Sequence, residues 1–372
     1  MPSPLAGLLV LDFTTLLPGP MATLMLAEAG AEVVKIERPP IGDEMRAYAP
    51  RWGQEAVNFA LLNRGKKSVA LDLKDPAQRE KLEPLIARAD ILVEQFRPGV
   101  MARLGLDFPT LSQKNPRLIY CAITGYGQTG PKRDVAGHDL NYIGDTGLLA
   151  LSHGDIARPV IPPALVADIA AGAYPAFMNI LLAILTRQTT GRGTFLDVAM
   201  TDHLFPFLYW AMGNGLGAGK WPGNGADLVT GGTPRYRLYP TADDKLIAAA
   251  PIEQRFWEVF VSAIGLEPHL HDDAKNMEAT AARIAEIIHG ETAEHWHAVF
   301  TGKDCCCSVV ATIREALADP HFQARGLFAR QVTNEAGKKL PALPTSVLPP
   351  FLGGADPGAA PKLGADNATL LG

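Results

Sequence analysis

Short apolar runs alternate with helical stretches along the first half of the chain. Strands are predicted at residues 8–13, 33–37, 68–73, 91–94, 118–123 and 195–199, and a helix at 21–29 separates the first two strands and ends at Gly30. This succession of strand, helix and strand predicts an α/β fold with a Rossmann-like large domain. The first turn reads T-T-L-L-P-G-P-M-A and lacks the G-x-G-x-x-G pattern, so we do not expect a bound dinucleotide despite Glu37 at the end of the second strand.

A glycine-rich, turn-prone stretch at residues 213–232 interrupts this pattern. We interpret it as a linker that leaves a large domain formed by residues 1–212. Residues 233–318 predict a smaller α+β domain with a strand pair and three helices, and residues 319–372 predict a return to the large domain followed by a surface tail.

Composition excludes several classes of protein. The 372 residues are 47% hydrophobic and 20% charged with a net charge of −5, which is typical of a globular protein and argues against nucleic-acid binding. The four cysteines, Cys121 and the run Cys305 to Cys307, form no disulfide framework, and the N-terminus lacks a basic signal region, so we expect a cytoplasmic protein. The longest apolar stretch, residues 170–185, is shorter than the roughly 20 residues that span a bilayer, and we predict a core helix and no membrane partner.

The loop after the strand at 118–123 carries the most distinctive chemistry. Residues 124–142 contain four glycines and a His138-Asp139 pair, and loops that follow strands are where α/β proteins keep their functional groups. Taken alone, such a pair is more often structural than catalytic. Two histidine-rich stretches, 269–273 and 291–297, are rich in ligand types, but alternate histidines diverge on a helix, so no metal site is expected.

Several motifs in order resemble a known family. They are G-Y-G-Q-T-G-P and A-G-H-D-L-N-Y in the loop, P-P-A-L-V-A-D ending at Asp168, and F-R-P-G-V-M-A-R-L-G-L at 96–106. Together they resemble the family III CoA-transferase group, and within it the α-methylacyl-CoA racemase branch. The resemblance implies an interlocked homodimer, an acyl-CoA substrate whose coenzyme A is part of the thioester, and no permanently bound cofactor.

The resemblance also implies roles for individual residues. His138 and Asp168 would exchange protons with the carbon next to the thioester, and Glu253, in P-I-E-Q-R-F-W, would pair with the histidine. The basic residues that follow successive strands would bind coenzyme A, namely Arg38, Lys74, Arg97 and Arg103. The chain departs from the racemase pattern at Ala164, where racemases carry Asn, and in reading I-E-Q-R-F instead of I-E-P-Q-F.

These residues predict an acyl-CoA racemase or epimerase that inverts the α-carbon of a 2-methylacyl-CoA by two-base proton transfer through an enolate. The alternative is a CoA-transferase in which Asp168 is the nucleophile and forms acyl and CoA-thioester intermediates. A third reading, a non-catalytic acyl-CoA-binding protein, gives no reason for His138, Asp168 and Glu253 to occur together.

Overall fold

The computed structural model describes residues 3–354 and 358–372, and the chain forms two compact units. The first unit comprises Met1–Thr146, Ala164–Pro206 and Pro320–Gly372, and the second comprises Gly147–Pro163 and Phe207–Asp319. The boundaries therefore differ from the expected ones. Residues 147–163 belong to the second unit instead of the large domain, and the glycine-rich stretch lies inside the second unit, where Gly213–Gly217 forms a π-helical turn directly after the helix Tyr209–Met212.

A six-stranded parallel sheet organises the first unit. Its strands are β1 (Leu9–Phe13), β2 (Glu32–Glu37), β3 (Lys67–Ala70), β4 (Ile91–Glu94), β5 (Ile119–Thr124) and β6 (Phe195–Ala199). They lie in the order β6-β5-β4-β1-β2-β3, with register pairs such as Val10 with Val33 and Val10 with Ile91. This is the doubly wound Rossmann order, in which β2 and β3 lie on one side of β1 and the later strands, starting with β4, lie on its other side. The predicted α/β fold class is confirmed.

Helices cover both faces of this sheet because its central strands are buried on both sides. The buried core on one face includes Leu11, Val34, Leu92 and Tyr120. The helices of the first unit are Pro18–Glu28, Val57–Asn63, Pro76–Glu80, Glu83–Arg88, Val100–Arg103, Phe108–Lys114, Asp139–Asp145, Val166–Ala173, Tyr174–Thr190, Pro320–Ala324 and Asn367–Leu371. Two-residue and three-residue ribbons add the strands Arg51–Trp52, Glu55–Ala56, Gln331–Thr333 and Lys339–Pro341.

The longest helix begins as a π-helix at Val166–Ala173 and continues as an α-helix over Tyr174–Thr190. At 25 residues it is longer than the predicted stretch, and by length and composition it could cross a membrane. However, one face packs against the helix Pro18–Glu28 and strands β5 and β6. Its buried Arg187 forms an ion pair with Asp90 at 3.0 Å. These contacts are typical of a core helix, and we interpret residues 166–190 as one.

A group of buried charges lies beneath the carboxyl end of β1. Lys66 Nζ donates to Asp12 Oδ2 at 3.0 Å and also to Pro20 O, Thr23 Oγ1 and Asn63 Oδ1. Lys35 Nζ donates to Thr14 O at 2.7 Å and pairs with Asp43 Oδ2 at 2.9 Å. Burial opposes ionisation of Asp12, yet Lys66 and Lys35 hold the pKa of this carboxyl well below its usual range. The turn that follows β1 is therefore anchored by paired charges.

The second unit is built on a three-stranded antiparallel sheet. Its strands are β7 (Arg237–Pro240), β8 (Leu246–Ala249) and β9 (Cys307–Val309), with β8 in the middle. The helices are Tyr209–Met212, Gln254–Ile264, Met277–His289, Ala293–Phe300 and Ile313–Ala318, and a short ribbon joins Gly154–Asp155 to Arg158–Pro159. Trp257, Phe260 and Trp296 fill the core. This arrangement agrees with the predicted α+β character of the smaller domain.

Candidate active site

One cavity opens at the carboxyl edge of the parallel sheet, where the order of the strands reverses. It has a volume of about 410 Å³ and is lined by residues that follow β1, β4, β5 and β6. His138, Asp168 and Arg97 all line it. Ligands of doubly wound proteins bind in this crevice because the loops after the strands converge there. Three of the residues predicted from separate motifs are thus brought into one cavity.

The glycines of the loop let an aromatic ring approach the backbone closely. A Cβ at Gly125 or Gly137 would lie 2.4 or 2.7 Å from the ring of Tyr142, so neither position has room for a side chain. The Tyr142 hydroxyl donates to Gly137 O at 2.5 Å, and its ring packs edge-on against Tyr126. The loop is therefore held around the cavity by the tyrosine that follows the His138-Asp139 pair.

His138 is the N-cap residue of the helix Asp139–Asp145. Its backbone N–H donates to the side chain of Asn141 at 3.0 Å, and its carbonyl accepts from Asn141 N and Tyr142 N. The backbone is thus fixed at both ends of the residue, while the imidazole is exposed toward the cavity. A ring held this way can exchange a proton with a bound substrate.

Asp168 reaches the same cavity from the first turn of the long helix. It is half-buried, and its N–H donates to the carboxylate of Asp139 at 2.9 Å. Burial and the neighbouring Asp139 carboxylate raise the pKa of Asp168 to about 6, against the smaller opposing effect of His138. Asp168 lies ahead of the predicted core helix at 170–185, where an aspartate would be expected to act as an N-cap, but the helix already begins at Val166, two residues before Asp168, so this expectation is wrong.

A second cavity of about 450 Å³ lies at the same edge of the sheet, after β1, β2 and β3. Arg38, Lys74 and Arg103 line it, together with apolar side chains such as Leu73 and Val100. Phe96 lines both cavities, so the two are neighbours. Of the four predicted coenzyme A contacts, three therefore meet here and the fourth, Arg97, lies in the cavity of His138 and Asp168.

These four basic side chains share a further property. In the described part of the chain none of them makes an ion pair or a side-chain hydrogen bond, although the protein carries a net negative charge. Exposed, unpaired guanidinium and ammonium groups beside an apolar cavity suit a ligand that combines phosphates with a flat ring.

Glu253 belongs to the second unit. It is the N-cap residue of Gln254–Ile264, where its carboxylate is exposed and makes no capping hydrogen bond. Its proposed pairing with His138 stays a prediction. Among residues 3–354 and 358–372, no three His, Cys, Asp or Glu side chains converge as a metal site would require. In the cysteine run, Cys305 is buried, Cys306 is exposed and Cys307 is half-buried.

Comparison with known proteins decides the family. The sequence matches the profile of CoA-transferase family III over residues 5–367. The chain belongs to this family. It is 32% identical to human alpha-methylacyl-CoA racemase, with 94% of this chain and 90% of the relative aligned. It is also 32% identical to the succinate–glutarate CoA-transferase of Agrobacterium fabrum over 99% of this chain and 95% of the relative.

Solved structures agree with this family assignment. The crystal structure of a CAIB/BAIF family protein from Brucella suis superposes with a TM-score of 0.82 at 28% identity, covering 100% of this chain and 99% of the other. Family III members act on coenzyme A thioesters, and the racemase and transferase relatives are about equally similar to this chain. The choice between the two reactions therefore depends on the chemistry of the cavity.

Sequence reasoning missed the part played by Asp139. The residue follows His138 directly, but it is only 5% exposed, whereas His138 is exposed. Its carboxylate accepts the N–H of Asp168, which is 29 residues away in the chain. The available signal was the acidic residue beside the histidine. Its partner could not be identified without the packing of two helices.

Proposed function

We propose that this protein is an acyl-CoA racemase or epimerase that inverts the α-carbon of a 2-methylacyl-CoA. The observation that carries this proposal is the meeting of two different proton-transfer groups, His138 and Asp168, in one cavity beside Arg97. Removing the α-proton gives an enolate, and returning a proton to the opposite face inverts the centre. That reaction needs one acid–base group on each face, and the two side chains come from different helices.

The acidity of Asp168 supports the same assignment. With a pKa of about 6, its carboxyl is ionised at neutral pH but readily takes a proton. Proton transfer is most efficient when the pKa of the catalytic group lies near the working pH. The same carboxyl is still mostly ionised at neutral pH, so its pKa alone does not exclude a role as a nucleophile.

The coenzyme A portion is proposed to lie across the two cavities. Arg38, Lys74 and Arg103 would bind its phosphates, with the apolar wall beside them against the adenine, and Arg97 would mark the passage to the thioester. The four cations, which have no ion-pair partner among residues 3–354 and 358–372, support this placement because phosphate oxygens would supply such partners.

The alternative is a CoA-transferase in which Asp168 attacks the thioester. The similarity to transferases keeps it open, and Ala164, which offers no side-chain amide where the racemases carry Asn, weakens the racemase assignment. The presence of His138 in the cavity favours proton transfer, since the transferase reaction requires no second acid–base group opposite the carboxylate.

Deuterium exchange in D₂O separates the two reactions. The purified enzyme is incubated with (2R)- or (2S)-2-methylbutanoyl-CoA, with and without added succinate, and the acyl-CoAs are analysed by mass spectrometry. A racemase incorporates one deuterium and converts each epimer to the other without succinate. Formation of succinyl-CoA with no α-deuterium in any branched substrate would overturn the proposal in favour of the transferase.

We also propose a homodimer. On the long helix, Met178, Leu182 and Leu185 lie at i, i+4 and i+7 and are each more than half exposed, so they form an apolar stripe on the face away from the sheet. Such a stripe is unfavourable in water and supports burial against a second copy. Sedimentation equilibrium should give twice the chain mass, and a monomer mass at all concentrations would contradict this.

A further inference from the structure

The start of the long helix is capped by a side chain from another helix. Leu165 offers no side-chain cap, so the first N–H groups of the helix have no partner within their own segment. The carboxylate of Asp139 accepts the N–H of Asp168 at 2.9 Å. The N–H groups of Val166 and Ala167 favour the ionised form of the same carboxylate, against the larger effect of burial, which raises its pKa. One buried carboxylate thus holds the backbone of Asp168, the residue of this first turn whose side chain lines the cavity.

The hydrogen bond between Asp139 and Asp168 connects the two proposed proton-transfer groups through few covalent bonds. His138 and Asp139 are consecutive, so the residue that presents the imidazole is bonded to the residue that holds the backbone of Asp168. Asp139 is 5% exposed, and the helix that it begins is packed against the turn that it caps. The separation of His138 and Asp168 is therefore set by one peptide bond and one hydrogen-bonded carboxylate.

The same carboxylate acts electrostatically on Asp168. After burial, Asp139 is the largest cause that raises the pKa of Asp168, whereas His138 lowers it. Tyr142 also faces this pair, and burial, then Asp168, raises the pKa of its hydroxyl. The charge of Arg97 acts in the opposite direction on the pKa of Tyr142. Removing the charge of Asp139 while keeping its shape should consequently make Asp168 more acidic.

We propose that Asp139 is a positioning residue: its carboxylate fixes the first turn of the long helix so that the side chain of Asp168 lies in the cavity that His138 also lines, and it places a second negative charge next to Asp168. The expected effect of Asp139 on catalysis rests on the proposed racemase function. Its effects on the position and ionisation of Asp168 do not depend on which reaction the protein catalyses.

Two variants distinguish the positioning effect of Asp139 from its electrostatic effect. Asp139→Asn keeps an oxygen that can accept the N–H of Asp168 but carries no charge, and Asp139→Ala removes both. Asp75→Asn is the matched control, because Asp75 also caps a helix, accepting from Ala77 N at 2.9 Å, but lines neither cavity. Circular dichroism establishes which variants are folded.

The first readout does not depend on turnover. Carbodiimide couples an amine to a protonated carboxyl, so labelling of the Asp168 peptide, measured by mass spectrometry from pH 4 to 8, follows the ionisation of that side chain. We expect a midpoint near pH 6 in the wild type and the Asp75 variant. In Asp139→Asn the midpoint should fall by about one pH unit, the effect of one neighbouring charge. An unchanged midpoint would overturn the electrostatic part.

The second readout is the pH dependence of α-proton exchange. In Asp139→Asn the acidic limb of kcat should move to lower pH while KM is retained, and Asp139→Ala should lose about 100-fold in kcat at every pH because Asp168 is misplaced. Wild-type kinetics in Asp139→Ala would overturn the positioning role. If the wild type shows no exchange at all, the proposed reaction fails, and the labelling midpoints still decide the effect of Asp139 on Asp168.

Discussion

The buried charges beneath β1 and the unpaired cations at the edge of the sheet use the same residue types in opposite ways. Lys66 and Lys35 are fully buried, and each is bonded to a carboxylate of the same chain. Arg38, Lys74, Arg97 and Arg103 are exposed and have no such partner in the described residues. An ionised group can leave water only when it is paired. The contrast separates charge that completes the fold from charge that is available to a ligand.

Disrupting the buried ion pairs beneath β1 should have the largest effect on stability. Lys66→Met removes one partner of the ion pair and leaves Asp12 buried without its nearest cation, which typically costs about 3 to 5 kcal/mol. The midpoint of urea-induced unfolding should fall accordingly. The control is Lys67→Met, whose exposed pair with Glu32 contributes about 0 to 1 kcal/mol. Equal effects of the two variants would show that the buried group does not anchor the fold.

Glu94 extends the comparison because it is buried and forms no ion pair with any of the residues that the structure describes. It ends β4 and is 4% exposed, and its only hydrogen bond in the described residues comes from Phe96 N. Burial raises the pKa of Glu94 to about 8, with Asp197 as a smaller cause. The folded protein therefore keeps a proton that the unfolded chain releases at a lower pH. This contribution to stability is present in acid and is lost as the pH rises toward 8.

Glu94→Gln should remove that dependence. Between pH 5 and pH 8.5 the wild type should lose about 2 to 4 kcal/mol more unfolding free energy than the variant, in urea titrations at matched ionic strength. Glu83→Gln, at an exposed carboxylate paired with Lys114, is the control and should leave the pH dependence unchanged. Parallel pH profiles for the wild type and Glu94→Gln would show that Glu94 is ionised in the folded protein.

Removing an unpaired cation should change binding and leave stability nearly unaffected. Arg97→Ala should weaken coenzyme A binding by about 1.5 to 3 kcal/mol, as expected for a hydrogen bond to a charged group, and binding should weaken further as salt is added. Calorimetric titration with coenzyme A measures both effects. Arg192→Ala, at an exposed arginine outside both cavities, is the control. Unchanged affinity after replacing each of Arg38, Lys74, Arg97 and Arg103 would rule out this site.

The same contrast explains what the sequence could and could not predict. Apolar runs located the strands of the sheet, and their order placed the functional loops at one edge, because parallel strands end on the same side. No sequence pattern indicated that Lys35 is buried and paired, because its partner, Asp43, lies in a later loop. The start of the long helix was misplaced for a similar reason, because its cap, Asp139, comes from elsewhere in the chain.

Epimer-resolved exchange in single variants tests the central claim most directly. If His138 and Asp168 act on opposite faces of the α-carbon, each removes the proton from one epimer only. In D₂O, His138→Ala should lose at least about 100-fold in deuterium incorporation from one epimer of 2-methylbutanoyl-CoA and keep part of it from the other, and Asp168→Ala should show the reverse preference. Racemisation should be lost in both. The same epimer preference in both variants, or normal exchange in His138→Ala, would contradict a two-base mechanism.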